Sequence, residues 1–156
     1  MADPHPDVVR REFTRQAATF TTTGWAAAGL DWITEQAAPE PHHQVLEVAA
    51  GAAHLGRALA RYAAHVTALD LTPAVLEQGK ALADADGQRN LTFEVGDAAR
   101  LPYLDGSFDL VVSRLAVHHF PDPAVPVAEM LRVCRPGGAL HLTHEWAALT
   151  AQRVDS

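Results

Sequence analysis

The sequence predicts an α/β fold with a doubly wound, mostly parallel sheet. Short apolar runs recur along the chain, and stretches with the apolar spacing of helices separate most of them. The first run leads into a turn of small residues at 49–53, and acidic residues stand at or just after the ends of three runs, at Glu47, Asp70 and Asp97. Strands that alternate with helices pair in parallel through right-handed crossovers and are covered on both faces.

Two helices are predicted before the first strand. Apolar residues recur at helical spacing from Val8 to about Phe20, Gly24 interrupts the pattern, and a second helix runs from about Trp25 to Ala37. These helices either fold over the small-residue turn as a lid or simply pack on one sheet face. We therefore divide the chain into a helical cap at 1–40 and a sheet core at 41–156.

The stretch from Val45 to Leu59 reads VLEVAAGAAHLGRAL, which predicts a strand, a tight turn and a helix. Its small residues let a ligand approach the backbone closely, and the first turn of the helix has N–H groups to offer. Glu47, near the end of the strand, can accept hydrogen bonds from a polar or cationic ligand group. We expect a ligand site here.

The rest of the chain continues the alternation. Further strands are predicted at 66–70, 91–95, 108–113 and from 139 to 143 or 144. One helix runs from Pro73 to about Asp84 with the Thr72 hydroxyl as its N-cap, and another opens at Asp122–Pro123 and stops at 135–138.

Composition excludes several classes of function. The 156 residues are 48% apolar, enough for one domain with a core, and the net charge is −7 with a single lysine among twelve basic residues. A nucleic-acid partner is not expected, because such surfaces need clustered positive charge. No apolar run is long enough to cross a membrane, the polar N-terminus is not a secretory signal, and the lone Cys134 fits a cytoplasmic protein.

Four segments carry a resemblance to a known family: VLEVAAG (45–51), TALDLTPAVLEQGK (67–80), FEVGDAARLPYLDGSFDLVVSRLAVHHFPDP (93–123) and EMLRVCRPGGALHLTHE (129–145). In this order and spacing, the chain resembles the class I S-adenosylmethionine-dependent methyltransferases over about residues 8–145. It is most similar to their small-molecule branch, which includes the quinone-biosynthesis C-methyltransferases. The resemblance implies a Rossmann-like sheet, S-adenosyl-L-methionine as cofactor, S-adenosyl-L-homocysteine as product and a small-molecule acceptor.

The resemblance implies where the methionine end of the cofactor lies. Glu47 and the turn through Ala49 and Gly51 would hold it. His54, at the start of the following helix, would touch the cofactor carboxylate, and Phe20 would close over the site.

The nucleoside end is assigned in the same way. Asp70 would accept both ribose hydroxyls, which suits a carboxylate, and Leu71 would pack on the adenine. Asp97 would accept from the adenine amino group, with the Ala98 backbone beside it. The alternative for Asp70 is a helix-capping or loop carboxylate, and the alternative for Asp97 is a turn residue.

The end of the fourth strand is the implied place of the chemistry. Ser113 and Arg114 would line the floor below the sulfonium, and His118 and His119 follow where the acceptor usually sits. His119 is the candidate catalytic base, because an imidazole can take a proton near neutral pH. The alternative is that one of these histidines only packs against the end of the sheet.

The remaining reactive residues are interpreted structurally. His141 and His144, on the fifth strand, are expected to be structural or interface residues, and Cys134 is expected in the core. The nine histidines are too scattered to predict a metal site.

Two departures from the family pattern stand out. The usual turn reads E-x-G-x-G-x-G, and here Ala49 and Ala53 replace two of its glycines. The Ala53 Cβ could crowd the cofactor and could disfavour a positive φ, which would weaken or abolish binding.

The second departure is at the C-terminus, where relatives add a helix and a hairpin that complete seven strands. This chain stops at Ser156, so we expect a sheet that lacks the last two strands, one helical turn from Trp146 and an exposed fifth strand. An open apolar edge needs a cover, which predicts a homodimer or a heteromeric partner. Two other functions stay open: a catalytically inactive subunit that regulates an active partner, and a cofactor-binding enzyme of non-methylating chemistry such as cyclisation.

Overall fold

The computed structural model describes residues 29–114, 120–144 and 147–154. Its helices are α1 (Leu30–Ala37), α2 (His54–Leu59), α3 (Pro73–Ala85) and α4 (Ala124–Val133). Its strands are β1 (Gln44–Val48), β2 (His65–Asp70), β3 (Leu91–Val95), β4 (Phe108–Arg114), β5 (Cys134–His144) and β6 (Ala147–Gln152). Among these helices, none is long and apolar enough to span a membrane.

The six strands form one sheet in the order β3-β2-β1-β4-β5-β6. The first five are parallel and β6 runs antiparallel to β5. The order reverses between β1 and β4, so the carboxyl ends of β1 and β2 meet beside the point where ligands bind in open α/β sheets. The predicted fold class is confirmed.

Alternation along the buried strands gives the sheet two core faces. On one face, Leu46, Leu69 and Val111 pack with Met130 of α4. On the other face, Val45, Val66, Leu110 and Val112 pack with Ile33 and Ala37 of α1 and with Leu55 and Leu59 of α2. Because both faces of the central strands are buried, these strands are nearly continuous in apolar residues, as the sequence indicated.

The predicted end of the sheet is wrong. Residues 147–152 form strand β6 instead of continuing a helical turn, and β6 pairs with β5 from Ala139↔Gln152 to His144↔Ala147. The N–H and C=O groups on that side of β5 therefore have partners, which removes the edge that we expected to be open. The outer strand of the sheet on this side is β6. The proposed division at residue 40 stays a prediction, since 1–28 lie outside the described residues.

Smaller differences concern the helix ends. Thr72 occupies the N-cap position of α3, but its side chain makes no capping bond there and instead hydrogen-bonds to Asp70. Strand β5 begins at Cys134, directly after α4 and earlier than predicted. Cys134 is fully buried, as expected of a core residue.

Candidate functional site

The turn after β1 has an unusual backbone. Three alternate residues adopt positive φ: Ala49 at 54°, Gly51 at 58° and Ala53 at 56°. This conformation costs a residue with a Cβ about 1 kcal/mol more than glycine. The turn is held by hydrogen bonds, among them Ala50 N to the Leu69 carbonyl at 3.0 Å. Ala53 thus adopts the positive φ that we expected its Cβ to disfavour, and Ala49 does the same.

Ala53 affects the backbone more than the surface of the turn. The residue is completely buried, and its methyl group lies 3.6 Å from the point that a Cβ on Gly56 would occupy. It adds nothing to the exposed surface of the turn. The consequence of alanine at this position is therefore backbone strain.

Glu47 is buried at the end of β1, with 2% of its surface exposed. Its Oε1 accepts a hydrogen bond of 2.9 Å from the Gly56 N–H, so the first turn of α2 uses one of its N–H groups within the protein. A Cβ on Gly56 would lie 2.7 Å from this oxygen, which explains the glycine. Burial raises the pKa of Glu47 from 4.5 to about 8, against the opposing effects of the Gly56 N–H and the Arg114 charge. The carboxyl is mostly protonated at neutral pH and is poised to ionise beside a cation.

Asp70 ends β2 and is 7% exposed. Its two oxygens accept hydrogen bonds of 2.9 Å from the N–H groups of Gly51 and Thr72. The Leu71 N–H and the Thr72 hydroxyl also bond to it. Burial raises the pKa of Asp70, and these four donors oppose the rise. The carboxylate therefore ties the two strand ends together, and the rotatable Thr72 hydroxyl is the donor that a ligand hydroxyl could most easily replace.

Ser113 and Arg114 lie at the end of β4, as predicted. The Ser113 hydroxyl donates to the Val48 carbonyl at 2.9 Å and is fully buried, so it joins β4 to β1 just before the turn. Arg114 is partly buried, and burial lowers its pKa while the nearby Glu47 raises it. The guanidinium and the Glu47 carboxyl therefore belong to the same cluster of charges.

His54, the first residue of α2, completes this cluster. Burial and the positive charges of Arg57 and Arg114 lower its pKa, so the ring is neutral at physiological pH. Its Nε2 is buried and has no hydrogen-bond partner within the described part of the chain. Buried polar atoms normally have partners, so this nitrogen is an exception among the described residues.

The two residues predicted at the adenine follow β3. Asp97 is exposed, and its Oδ1 accepts from the Ala99 N–H at 2.9 Å, which is the turn role that we gave as the alternative. Ala98 beside it is buried, and the preceding Gly96 N–H donates to the Asp70 carbonyl at 3.0 Å. Asp97 and Asp70 are therefore on adjoining loops. Leu71 is partly buried at the same end of the sheet.

Other predicted residues lie elsewhere or outside the described residues. Phe20, His118 and His119 lie outside them. His141 is fully buried, with its Nδ1 2.7 Å from the Thr150 Oγ1 of β6. At His144, the backbone pairs with Ala147 in the β5–β6 hairpin.

The sequence reasoning missed one cluster, in the loop before β1. Glu40, His42 and His43 bring possible metal-ligand atoms within 4.8 Å of one another. The His43 Nδ1, however, accepts a hydrogen bond from the Glu40 N–H at 3.1 Å, so its proton is on Nε2, which faces the Glu40 carboxylate at 3.4 Å. A metal ion at Nε2 would need the opposite tautomer. The cluster is best described as a hydrogen-bonded surface group.

The strand order and the turn after β1 define the class I methyltransferase fold. The crystal structure of the YcgJ protein from Bacillus subtilis matches with a TM-score of 0.70 and 33% identity, covering 73% of this chain and 49% of that one. A family model described as a methyltransferase domain matches residues 46–142. The chain belongs to this methyltransferase domain family.

Two further comparisons give the breadth of the family. A demethylmenaquinone methyltransferase of Parafrankia sp. (strain EAN1pec) is 38% identical over 160 residues, covering 88% of this chain and 63% of that protein. The crystal structure of the [4+2]-cyclase SpnF matches with a TM-score of 0.71 and 26% identity, over 76% of this chain and 45% of that one. The chain spans between 36% and 63% of the length of such curated relatives.

Proposed function

We propose that the protein binds S-adenosyl-L-methionine and transfers its methyl group to a small-molecule acceptor, with S-adenosyl-L-homocysteine as the product. The observation that carries this proposal is the pair of buried carboxyl groups, Glu47 and Asp70, on either side of a small-residue turn where the strand order reverses. A cofactor with an ammonium group at one end and vicinal hydroxyls at the other matches this pair.

The residues present fit such a cofactor. Glu47 is the group to receive its ammonium, because a buried carboxyl gains most from an opposite charge. The unpartnered Nε2 of neutral His54 suits its carboxylate. Asp70 would take the ribose hydroxyls, and Asp97 and Leu71 would flank the adenine.

The bound cofactor supplies an electrophilic methyl group on a sulfonium. The protein's part is to align the acceptor with that methyl group and to accept the proton that the acceptor loses. We propose that Ser113 and Arg114, at the end of β4, line the floor of the site where the acceptor is aligned. We propose that His119 accepts the proton that the acceptor loses. The similarity to a demethylmenaquinone methyltransferase supports a quinol-like aromatic acceptor, whose carbon or oxygen receives the methyl group.

Calorimetric titration with S-adenosylhomocysteine tests the cofactor site. We expect a dissociation constant on the order of micromolar, a loss of at least about 100-fold in Asp70→Ala, and no loss in Asp84→Ala. Asp84 is a matched control because it is an exposed aspartate that pairs with Lys80 on the surface of α3. A folded wild-type protein that does not bind would overturn the proposal.

A second function from a different class is favoured by one comparison. The similarity to SpnF, a [4+2]-cyclase, supports a variant of the proposal in which the cofactor is bound and no methyl group moves. Incubation with the methyl donor and quinol-like acceptors separates the two, because only methyl transfer produces S-adenosylhomocysteine and adds one methylene mass to the acceptor. Binding without methyl transfer to any acceptor is the outcome that both the cyclisation variant and the inactive, regulatory subunit predict.

We also propose that the protein works in the cytoplasm as a dimer or with a partner subunit. Assembly is supported by the outer strand β6, which has one neighbouring strand among those described. The cytoplasm is supported by Cys134, which is buried and forms no disulfide. Light scattering is the test of assembly, with Thr150→Pro to block pairing along β6. A monomer at all concentrations would exclude the dimer.

A further inference from the structure

Arg132 of α4 has an exceptionally complete set of hydrogen bonds. Its Nη1 donates to the Tyr103 carbonyl and to Asp105 Oδ1, both at 2.8 Å. Its Nη2 donates to the Leu101 carbonyl at 3.0 Å and to Glu129 Oε2 at 2.9 Å, and its Nε donates to Glu129 Oε1 at 2.8 Å. All five N–H groups of the guanidinium are used, three of them on the segment before β4.

Glu129 links this guanidinium to the same segment a second time. Its Oε2 accepts from the Leu101 N–H at 2.8 Å, so Leu101 is bound at both its N–H and its carbonyl. The Arg132 carbonyl accepts from the Gly106 N–H at 2.9 Å. Two side chains one helical turn apart on α4 therefore fix the backbone from Leu101 to Gly106.

The other end of the segment is fixed to the candidate cofactor site. Gly96 donates to the Asp70 carbonyl, and a Cβ on Gly96 would lie 2.7 Å from a Leu69 methyl carbon, so this residue fits closely against β2. Only residues 97–100 lie between this anchor and Leu101. They include Asp97 and Ala98, the residues that we place at the adenine.

We infer that Arg132, together with Glu129, is a positioning residue that sets the geometry of the adenine end of the cofactor site from α4. This inference rests on the proposed function. We call Arg132 and Glu129 the clamp. The clamp acts through the backbone of Leu101, and residues 97–101 are too few for Leu101 to shift while Asp97 keeps its place. We assign neither Arg132 nor Glu129 a contact with the cofactor or with the transferred methyl group.

The test compares Arg132→Gln with Arg153→Gln. Arg153 is the control, because its Nη1 donates to the carbonyls of Leu131, Arg132 and Cys134 where α4 ends and β5 begins. It therefore shares this helix end with the clamp but makes none of the side-chain bonds that hold Leu101, Tyr103 and Asp105. Both variants are expected to lower the midpoint of thermal unfolding. Only Arg132→Gln is expected to weaken S-adenosylhomocysteine binding, by roughly 5- to 30-fold. In turnover assays it should raise KM for the methyl donor and leave kcat unchanged.

Two further measurements keep the inference testable if Arg132→Gln does not fold. Asp105→Asn affects one hydrogen bond of the clamp, and Glu129→Gln affects three, so binding should be weaker in Glu129→Gln than in Asp105→Asn. Amide exchange at Ala99 and Leu101 should rise in both variants, and the ligand should restore protection. Unchanged affinity in variants with faster exchange at these amides would overturn the inference. Absence of binding by the wild-type protein would overturn the proposed function itself, which is a different result.

Discussion

The ends of β1 and β2 each bury one carboxyl group, and the two groups differ in the number of donors around them. Glu47 at the end of β1 accepts from one backbone N–H, that of Gly56, and burial raises its pKa to about 8. Asp70 at the end of β2 receives four donors, which oppose the same effect of burial. Burial raises the pKa of both carboxyls, and Asp70 has more hydrogen bonds to its charged form that oppose the rise. Glu47, whose pKa burial raises to about 8, is the carboxyl that can release a proton near neutral pH.

The largest expected effect is at Asp70. Asp70→Asn places an NH2 group opposite one of the N–H groups of Gly51 and Thr72, and we expect a loss of about 1–3 kcal/mol in the free energy of unfolding. Glu47→Gln keeps an acceptor for its one N–H donor and should lose much less at neutral pH. Urea unfolding of both variants at pH 7 measures the difference. Equal losses would mean that the donor count does not distinguish the two strand ends.

The next effect is the pH dependence that Glu47 contributes. Its pKa is higher in the folded than in the unfolded protein, so the folded state binds more protons between about pH 4.5 and pH 8. The stability from this group is full below the unfolded pKa and is lost as the pH rises through about 8. We expect Glu47→Gln to reduce the stability difference between pH 6 and pH 9 by about 2–3 kcal/mol. The exposed Asp84→Asn variant serves as control. If the free energy of unfolding of Glu47→Gln depended on pH as that of the wild type does, the raised pKa of Glu47 would be refuted.

A third prediction concerns ligand binding. If a cationic ammonium group docks beside Glu47, the carboxyl ionises, and on the order of half a proton leaves the protein per ligand at neutral pH. Titration with S-adenosylhomocysteine in buffers of different ionisation enthalpy counts this proton. Glu47→Gln should bind more weakly and release none. Proton release that persists in Glu47→Gln would assign it to a group other than Glu47.

The smallest effect tests the turn itself. Ala53→Gly relieves a positive φ, and the gain is expected to be about 0.5–1 kcal/mol after the greater freedom of glycine in the unfolded chain. Ala52→Gly is the matched control, since Ala52 is also buried in the turn but has no positive φ. The midpoint temperature of thermal unfolding should rise for Ala53→Gly and fall for Ala52→Gly. A fall for both would show that Ala53 is not strained.

Much of the fold could be predicted from local patterns. The apolar runs of β1 to β4 and the helical spacing after them appear in any short window, because periodicity is a local property. The same holds for the acidic residues at the strand ends. The prediction failed at β6, where residues 147–152 carry no strong strand pattern and take up extended structure because the edge of β5 offers them partners.

The sequence by itself determined the order of strands and helices as far as β5, the family, and the chemical groups at the ends of β1 to β4. Only the tertiary structure decided how these groups behave. Burial raises the pKa of Glu47 and the Gly56 N–H opposes the rise, and both come from the packing of α2 on the sheet. Arg132 likewise contacts Leu101 and Asp105, which are 31 and 27 positions away in the sequence. Burial and long-range hydrogen bonds exist only once the chain has folded, so a local pattern names the ionisable groups and the fold sets their charge.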